Sequence, residues 1–172
     1  MYKDINNSID IYDSNIIYHN NKRLDLVLSE PVSYYSVNTE DSGLELPTSL
    51  SIVDWSDYTS LKESYNGIKL NQTDNKIYIS SNGTYEVCFS VLCTELLGGT
   101  PTIEFYIYKN GVAIDNMERI IYVTGTDETS STQINFINEF NVNDTIEVWV
   151  KRTGGSIEIK TQISLTIKQI GG

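Results

Sequence analysis

From residue 48 on, the chain alternates between apolar and polar residues one at a time. In TYEVCFSVL the odd positions are Tyr85, Val87, Phe89 and Val91, and in PTIEFYIYKN they are Ile103, Phe105 and Ile107. STQINFINEF carries Ile134, Phe136 and Phe140 on even positions, as DTIEVWVKR carries Ile146, Val148 and Val150. The last run keeps one register through Ile157, Ile159, Ile163, Leu165 and Ile167. A period of two sends alternate side chains to one face, so each run predicts a strand with one buried face. Turn formers separate the runs: Ser81-Asn82-Gly83, Gly98-Gly99, Asn110-Gly111, Asn143-Asp144 and Gly154-Gly155. Short strands at this spacing predict an antiparallel sandwich or barrel. The 22 isoleucines, 12 tyrosines and single alanine, Ala113, agree, since β-branched and aromatic residues suit a pleated surface and alanine suits a helix.

The face opposite the Ile/Val/Phe face is unusual. One strand turns Glu104, Tyr106 and Tyr108 to it and another Glu147 and Trp149, with Tyr78 and Tyr122 in similar company. A sheet covered on one side normally offers Lys, Glu and Thr to water. Several large aromatics there predict a subunit contact, because Tyr and Trp are favoured at interfaces. The chain before residue 48 is different: little glycine, weak periodicity and a surplus of acids. A short hairpin is expected around His19-Asn20-Asn21, then extended chain through Pro31 to Pro47. Residues 1–48 are expected to form an arm that orders against a partner, and residues 49–172 the domain. The arm's apolar anchors are Ile9, Ile11, Ile16, Ile17, Leu24, Leu26, Val27 and Leu28.

Charge narrows the partners. Twelve basic against 23 acidic residues leave a net charge of −11, which disfavours nucleic acid and anionic membrane surfaces. No apolar run reaches the roughly 20 residues of a membrane helix, and MYKDINNSID does not read as a signal peptide. Cys88 and Cys93 are five apart, so on one strand they point to opposite faces and cannot pair. The one histidine, His19, would have to serve any Ser-His-Asp or Cys-His arrangement, and it lies in an expected turn. Phosphate-loop, dinucleotide and nucleophile-elbow motifs are absent from the sequence, as are zinc spacing and an EF-hand loop. Counting does not exclude a paired-carboxylate glycosidase, since 23 acids always offer a pair, but the expectation is of no catalytic residue, cofactor or metal. The N-x-[ST] triplets at Asn6, Asn71, Asn82 and Asn143 are expected by chance in a chain this rich in Asn, Ser and Thr.

Residues 66–172 resemble the trimeric jelly roll of tumour necrosis factor and the complement globular heads. The resemblance rests on Gly67-Ile68-Lys69-Leu70 leading to Lys76-Ile77-Tyr78-Ile79, and on Asn82-Gly83-Thr84-Tyr85-Glu86-Val87, which matches the family's G-x-Y. Phe105-Tyr106-Ile107-Tyr108-Lys109-Asn110-Gly111 is similar to its Lys/Asn-Gly hairpin. Phe140 to Val148 is similar to L-x-x-G-D-x-V-x-V, with Asn143 where the family usually has Gly. Ile163 to Ile167 would be the last strand. The resemblance implies an all-β, tumour-necrosis-factor-like antiparallel jelly-roll sandwich with an extended N-terminal arm, and it implies homotrimerisation. Bacteriophages use this jelly roll in head fibres, capsid decoration proteins and tail tips. The AT-rich coding suggested by 16 Asn and 22 Ile, and the acidic charge, fit that setting. The expected protein is a non-enzymatic virion structural protein at the virion surface. Its arm would hold the major capsid protein or another virion protein. The alternative is the receptor- or glycan-binding head of a tail fibre or adhesin, with loops 94–100 and 124–131 meeting a host surface glycan.

Overall fold

The computed structural model describes residues 9–13, 16–19, 22–24, 34–38, 42–55, 62–65, 68–96, 99–125, 127–154 and 158–172. Every helical or extended element among the described residues is a strand, as the alternation and the lack of alanine predict. The chain divides into two units, Met1–Glu30 and Pro31–Gly172.

The first unit is a three-stranded antiparallel sheet of β1 (Ile9–Asp13), β2 (Ile16–His19) and β3 (Lys22–Leu24). The expected hairpin is the β2–β3 pair, with His19 opposite Lys22 and Ile17 opposite Leu24. Ile17 also stands opposite Ile11 of β1.

The second unit is a sandwich of two antiparallel sheets. One runs β13 (Thr129–Phe140), β10 (Gly83–Glu95), β15 (Glu158–Gly171), β4 (Tyr34–Asn38), β7 (Lys62–Tyr65), with β5 (Ser42–Glu45) also on β15. The other runs β12 (Val112–Tyr122), β11 (Thr102–Lys109), β14 (Thr145–Thr153), β9 (Lys76–Tyr78), β8 (Lys69–Asn71), with β6 (Ser51–Ile52) also on β14. We call them the β10 sheet and the β14 sheet. The expected arm of residues 1–48 thus overlaps the sandwich, since β4 and β5 pair with β15 along most of its length.

The core is the apolar set read from the alternation. Tyr85, Val87, Phe89, Val91, Ile103, Phe105, Ile107, Ile134, Phe140, Ile146, Val148, Val150, Ile163, Leu165 and Ile167 are all buried. Phe89 and Phe105 meet across the sheets at 5.6 Å, and Tyr85 meets Phe140 edge-on at 5.8 Å. Phe136 packs half-buried on this core, and Ile157 lies outside the described residues. Leu46, Val53 and Trp55 join the core from the segment beside β14, where the Val53 N–H donates to the Val148 carbonyl.

Three local features account for the sequence signals. Asn110 and Gly111 both have positive φ, 53° and 75°, between Lys109 and its partner Val112. That is the two-residue hairpin turn whose twist matches its strands, and Asn-Gly tolerates it. Asn143 has φ 70°, so the backbone there asks for the left-handed conformation that Gly adopts freely and Asn adopts at small cost. In the G-x-Y run, a Cβ at Gly83 would lie 2.4 Å from both Gln169 Nε2 and the Gly171 carbonyl oxygen. Tyr85, two residues on, turns inward and its hydroxyl donates to the Ser81 carbonyl at 2.9 Å. Cys88 and Cys93 are free thiols on opposite faces of β10, Cys93 in the core and Cys88 half-buried outside it.

Candidate functional site

Outer positions of the β14 sheet carry the aromatic residues singled out in the sequence. Tyr106 stands opposite Trp149 across the β11–β14 ladder, and Tyr108 opposite Glu147. The Tyr108 and Trp149 rings stack at 4.9 Å and 28°. These three side chains form one strip. Tyr78 lies on β9 opposite Thr145, and its hydroxyl donates to Asp74 at 2.6 Å. Tyr122 is at the far end of β12, opposite Thr102 and 64% exposed. The structure therefore gathers Tyr106, Tyr108 and Trp149 and leaves Tyr78 and Tyr122 at the margins.

Carboxylates anchor this strip. Glu104 accepts from the Tyr106 hydroxyl at 2.5 Å and pairs with Lys151 at 3.0 Å. The Tyr106 hydroxyl bond, then the Lys151 bond, holds the Glu104 carboxyl below its usual range, while Glu104 raises the Tyr106 phenol. Glu147 is an outer-face residue by register, yet its side chain has no exposed surface. Its Oε1 accepts from the Gly111 N–H (2.9 Å) and the Thr145 hydroxyl (3.0 Å), and pairs with Lys76 Nζ (3.1 Å). Its Oε2 accepts from Trp149 Nε1 at 3.0 Å. Burial alone would raise this carboxyl; the bonds from Trp149, Lys76 and Thr145 outweigh it and hold it low. Beside it Asp144 pairs with Lys109 at 3.0 Å and accepts from Asn110 at 2.7 Å. Donors and acceptors here satisfy one another across strands. Such an arrangement fixes ring orientation and offers an apolar surface with polar margins, which is the chemistry of a contact surface.

The outer face of the β10 sheet was not singled out by the sequence reading. Its rows across β13, β10 and β15 are Asn135–Cys88–Thr166, Gln133–Ser90–Ser164 and Ser131–Leu92–Gln162. These side chains are small or uncharged. Around Ser90 and Leu92 the face is hollowed into a depression of about 670 Å³, walled by Ser131, Gln133, Gln162 and Ser164. By register, charge returns at Glu86 and its partner Lys168, at Glu139 opposite Thr84, at Lys160 opposite Thr94, and on β7 at Glu63 opposite Ser36.

Of the arm anchors, Ile9 and Ile11 lie in β1, Ile16 and Ile17 in β2 and Leu24 in β3. Leu26, Val27 and Leu28 lie outside the described residues, as does part of each expected recognition loop. The described part of the 124–131 loop is tied to Glu95: Asp127 N–H donates to its carbonyl, and its own N–H donates to the Glu128 carbonyl. Among the described residues no group of three or more His, Cys, Asp or Glu is placed to hold a metal, and no helix is long and apolar enough to cross a membrane.

No protein-family model matches the chain, and no curated protein matches it. Among solved structures it is similar to the globular domain of zebrafish complement 1qA protein, at 10% identity and a TM-score of 0.56. The match covers 80% of this chain and 97% of that one. At that identity the likeness is one of fold: the chain is an all-β jelly roll similar to a complement globular head.

Proposed function

We propose that this chain is a non-enzymatic virion structural protein, a bacteriophage head fibre or capsid decoration subunit that displays a homotrimeric jelly roll at the virion surface. The observation that carries the reading is the pairing of parts. A jelly roll that spans nearly a whole complement globular domain is joined to a separate small sheet, Met1–Glu30. In this reading the N-terminal unit holds the major capsid protein or another virion protein. Its apolar residues Ile9, Ile11, Ile16, Ile17, Leu24, Leu26 and Leu28 supply the contact, and three such units on one trimer bind with avidity. The aromatic strip of Tyr106, Tyr108 and Trp149, with Tyr78 and Tyr122 at its margins, serves subunit contact. No cofactor is assigned.

A second reading, a receptor- or glycan-binding head, draws on the 124–131 loop. Its backbone bonds to Glu95 hold it on a rigid scaffold, as recognition loops are held. Deletion separates the two. Because β4 and β5 are sandwich strands, the cut belongs at the unit boundary. Removing residues 1–30 should leave a folded trimer that no longer copurifies with particles. Wild-type occupancy of particles by the truncated trimer would overturn the attachment role. Binding of the truncated trimer to host glycans would favour the second reading.

A further inference from the structure

We propose that Asn110 is a modification site gated by the fold: it deamidates through Gly111 only when the β11–β12 turn lifts from β14, and the product keeps the turn from closing again. This device is independent of attachment and of subunit contact.

The chain has three Asn-Gly steps, at residues 66–67, 82–83 and 110–111, of which the first lies outside the described residues. Asn-Gly is prone to deamidation because glycine has no Cβ to hinder its backbone nitrogen. At 110–111 that nitrogen attacks Asn110 Cγ. The N–Cγ bond forms, the Cγ–Nδ2 bond breaks, and Nδ2 leaves as ammonia with the proton that Gly111 gives up. Water then opens the ring at either carbonyl carbon. The product is aspartate, or isoaspartate with one more carbon in the main chain. Water is the one co-reactant, and Asn110 and Gly111 are both exposed to it.

In the closed structure both reacting groups are held. Asn110 Nδ2 donates to Asp144 Oδ1 at 2.7 Å, and Asn110 Oδ1 accepts from the Thr145 N–H at 2.8 Å. Those two bonds fix the plane of the amide. The Gly111 N–H donates to Glu147 Oε1 at 2.9 Å, away from the carbon it would attack. Protection comes from these bonds and not from crowding, since nothing lies within 4 Å of where a Gly111 Cβ would stand. Asp144, Thr145 and Glu147 sit together at the start of β14, so one motion of the turn releases all three. Asn82 is held elsewhere: its Oδ1 accepts from the Val142 N–H at 2.8 Å, and Gly83 begins β10 opposite Phe140.

Reaction makes the opening one-way. An aspartate at 110 has no N–H for Asp144 and sets carboxylate against carboxylate. An isoaspartate lengthens a two-residue turn whose length fixes the pairing of Lys109 with Val112.

The test ages the full chain at mildly alkaline pH and follows Asn110 and Asn82 in one digest by mass spectrometry. A peptide of residues 105–115 gives the rate without the fold. Asn110 in the intact chain should react about a hundredfold more slowly than in the peptide, because only the locally opened fraction reacts. Glu147→Ala should speed Asn110 about tenfold and leave Asn82 unchanged. Glu147→Gln, whose amide oxygen still accepts from Gly111, should stay closer to wild type. Asp144→Ala frees Nδ2 with Glu147 in place and should also speed Asn110; it decides the matter if Glu147→Ala unfolds. Asn110→Asp should lose hydrogen-exchange protection at the Gly111 amide. An intact-chain rate equal to the peptide's overturns the gate. So does a rate unchanged in Asp144→Ala, or equal acceleration of Asn82 and Asn110 in a variant with wild-type circular dichroism. Full protection of Gly111 in Asn110→Asp overturns the one-way step.

Discussion

Replacing Glu147 should unlock one end of the β14 sheet. Its carboxylate collects four donors from three places in the chain: Gly111 in the β11–β12 turn, Lys76 on β9, and Thr145 and Trp149 on β14 itself. In Glu147→Ala the Gly111 N–H, the Thr145 hydroxyl and the Trp149 indole lose an acceptor in a place with little access to water. Lys76 is one-third exposed and can turn outward. An unsatisfied buried donor costs about 1–3 kcal/mol, and breaking one partner from a buried pair costs about 3–5 kcal/mol, so a loss of about 4 kcal/mol is expected. For a chain of this size that is a fall of roughly 8–16 °C in melting temperature. Glu147→Gln keeps the shape. Its amide oxygen can take the three Oε1 donors, but its NH2 then faces the Trp149 N–H, so about half the loss is expected, on the order of 2 kcal/mol. Denaturant melts at fixed protein concentration measure both, and the Gly111 amide should lose hydrogen-exchange protection in each. A Glu147→Ala protein within about 1 kcal/mol of wild type would refute the anchor argument, since it would mean that water or a rearranged neighbour satisfies those donors.

Two further outcomes follow from the same geometry. Gly83→Ala drives a Cβ against the Gly171 carbonyl as well as the movable Gln169 amide, so about 1–3 kcal/mol of destabilisation is expected in thermal melts. A melting temperature equal to wild type would show that the end of β15 yields freely. Glu104, Asp144 and Glu147 all have folded pKa values held below their usual ranges, so the unfolded chain takes up protons first as pH falls. Their stabilising contribution is present at neutral pH and is lost below about pH 4 as pH drops through the folded values. A chain equally stable at pH 7 and pH 3 would contradict it.

The sandwich was legible because the physics that builds it leaves a period of two in the sequence. Phe89, Phe105 and Leu165 had to be apolar and every second residue had to be something else, and the structure buries that set. The turns were legible for a steric reason: Asn110-Gly111 and Asn143 stand where φ is positive. Strands β4, β5 and β7 were not. They are four or five residues long and take their place from β15 or from β4, as backbone partners far away in the chain, and such pairing leaves no local period. Residues 34–45 therefore read as extended leader.

The candidate surfaces divide along the same line. Trp149 and Tyr106 stand out against an outer face because large rings are costly to leave wet, so the aromatic strip was visible. Glu147 was visible as an outer-face residue, but not as a buried anchor, because its donors come from Gly111 and Lys76, 36 and 71 positions away. The hollow on the β10 sheet was invisible for the opposite reason to the strip. Ser90, Ser164 and Gln133 are what a solvated strand carries, and nothing in their order marks them. They become a surface only when register sets them side by side on a chain of net charge −11. On such a chain a run of uncharged rows on an outer face is a product of register, and no local pattern along one strand announces it.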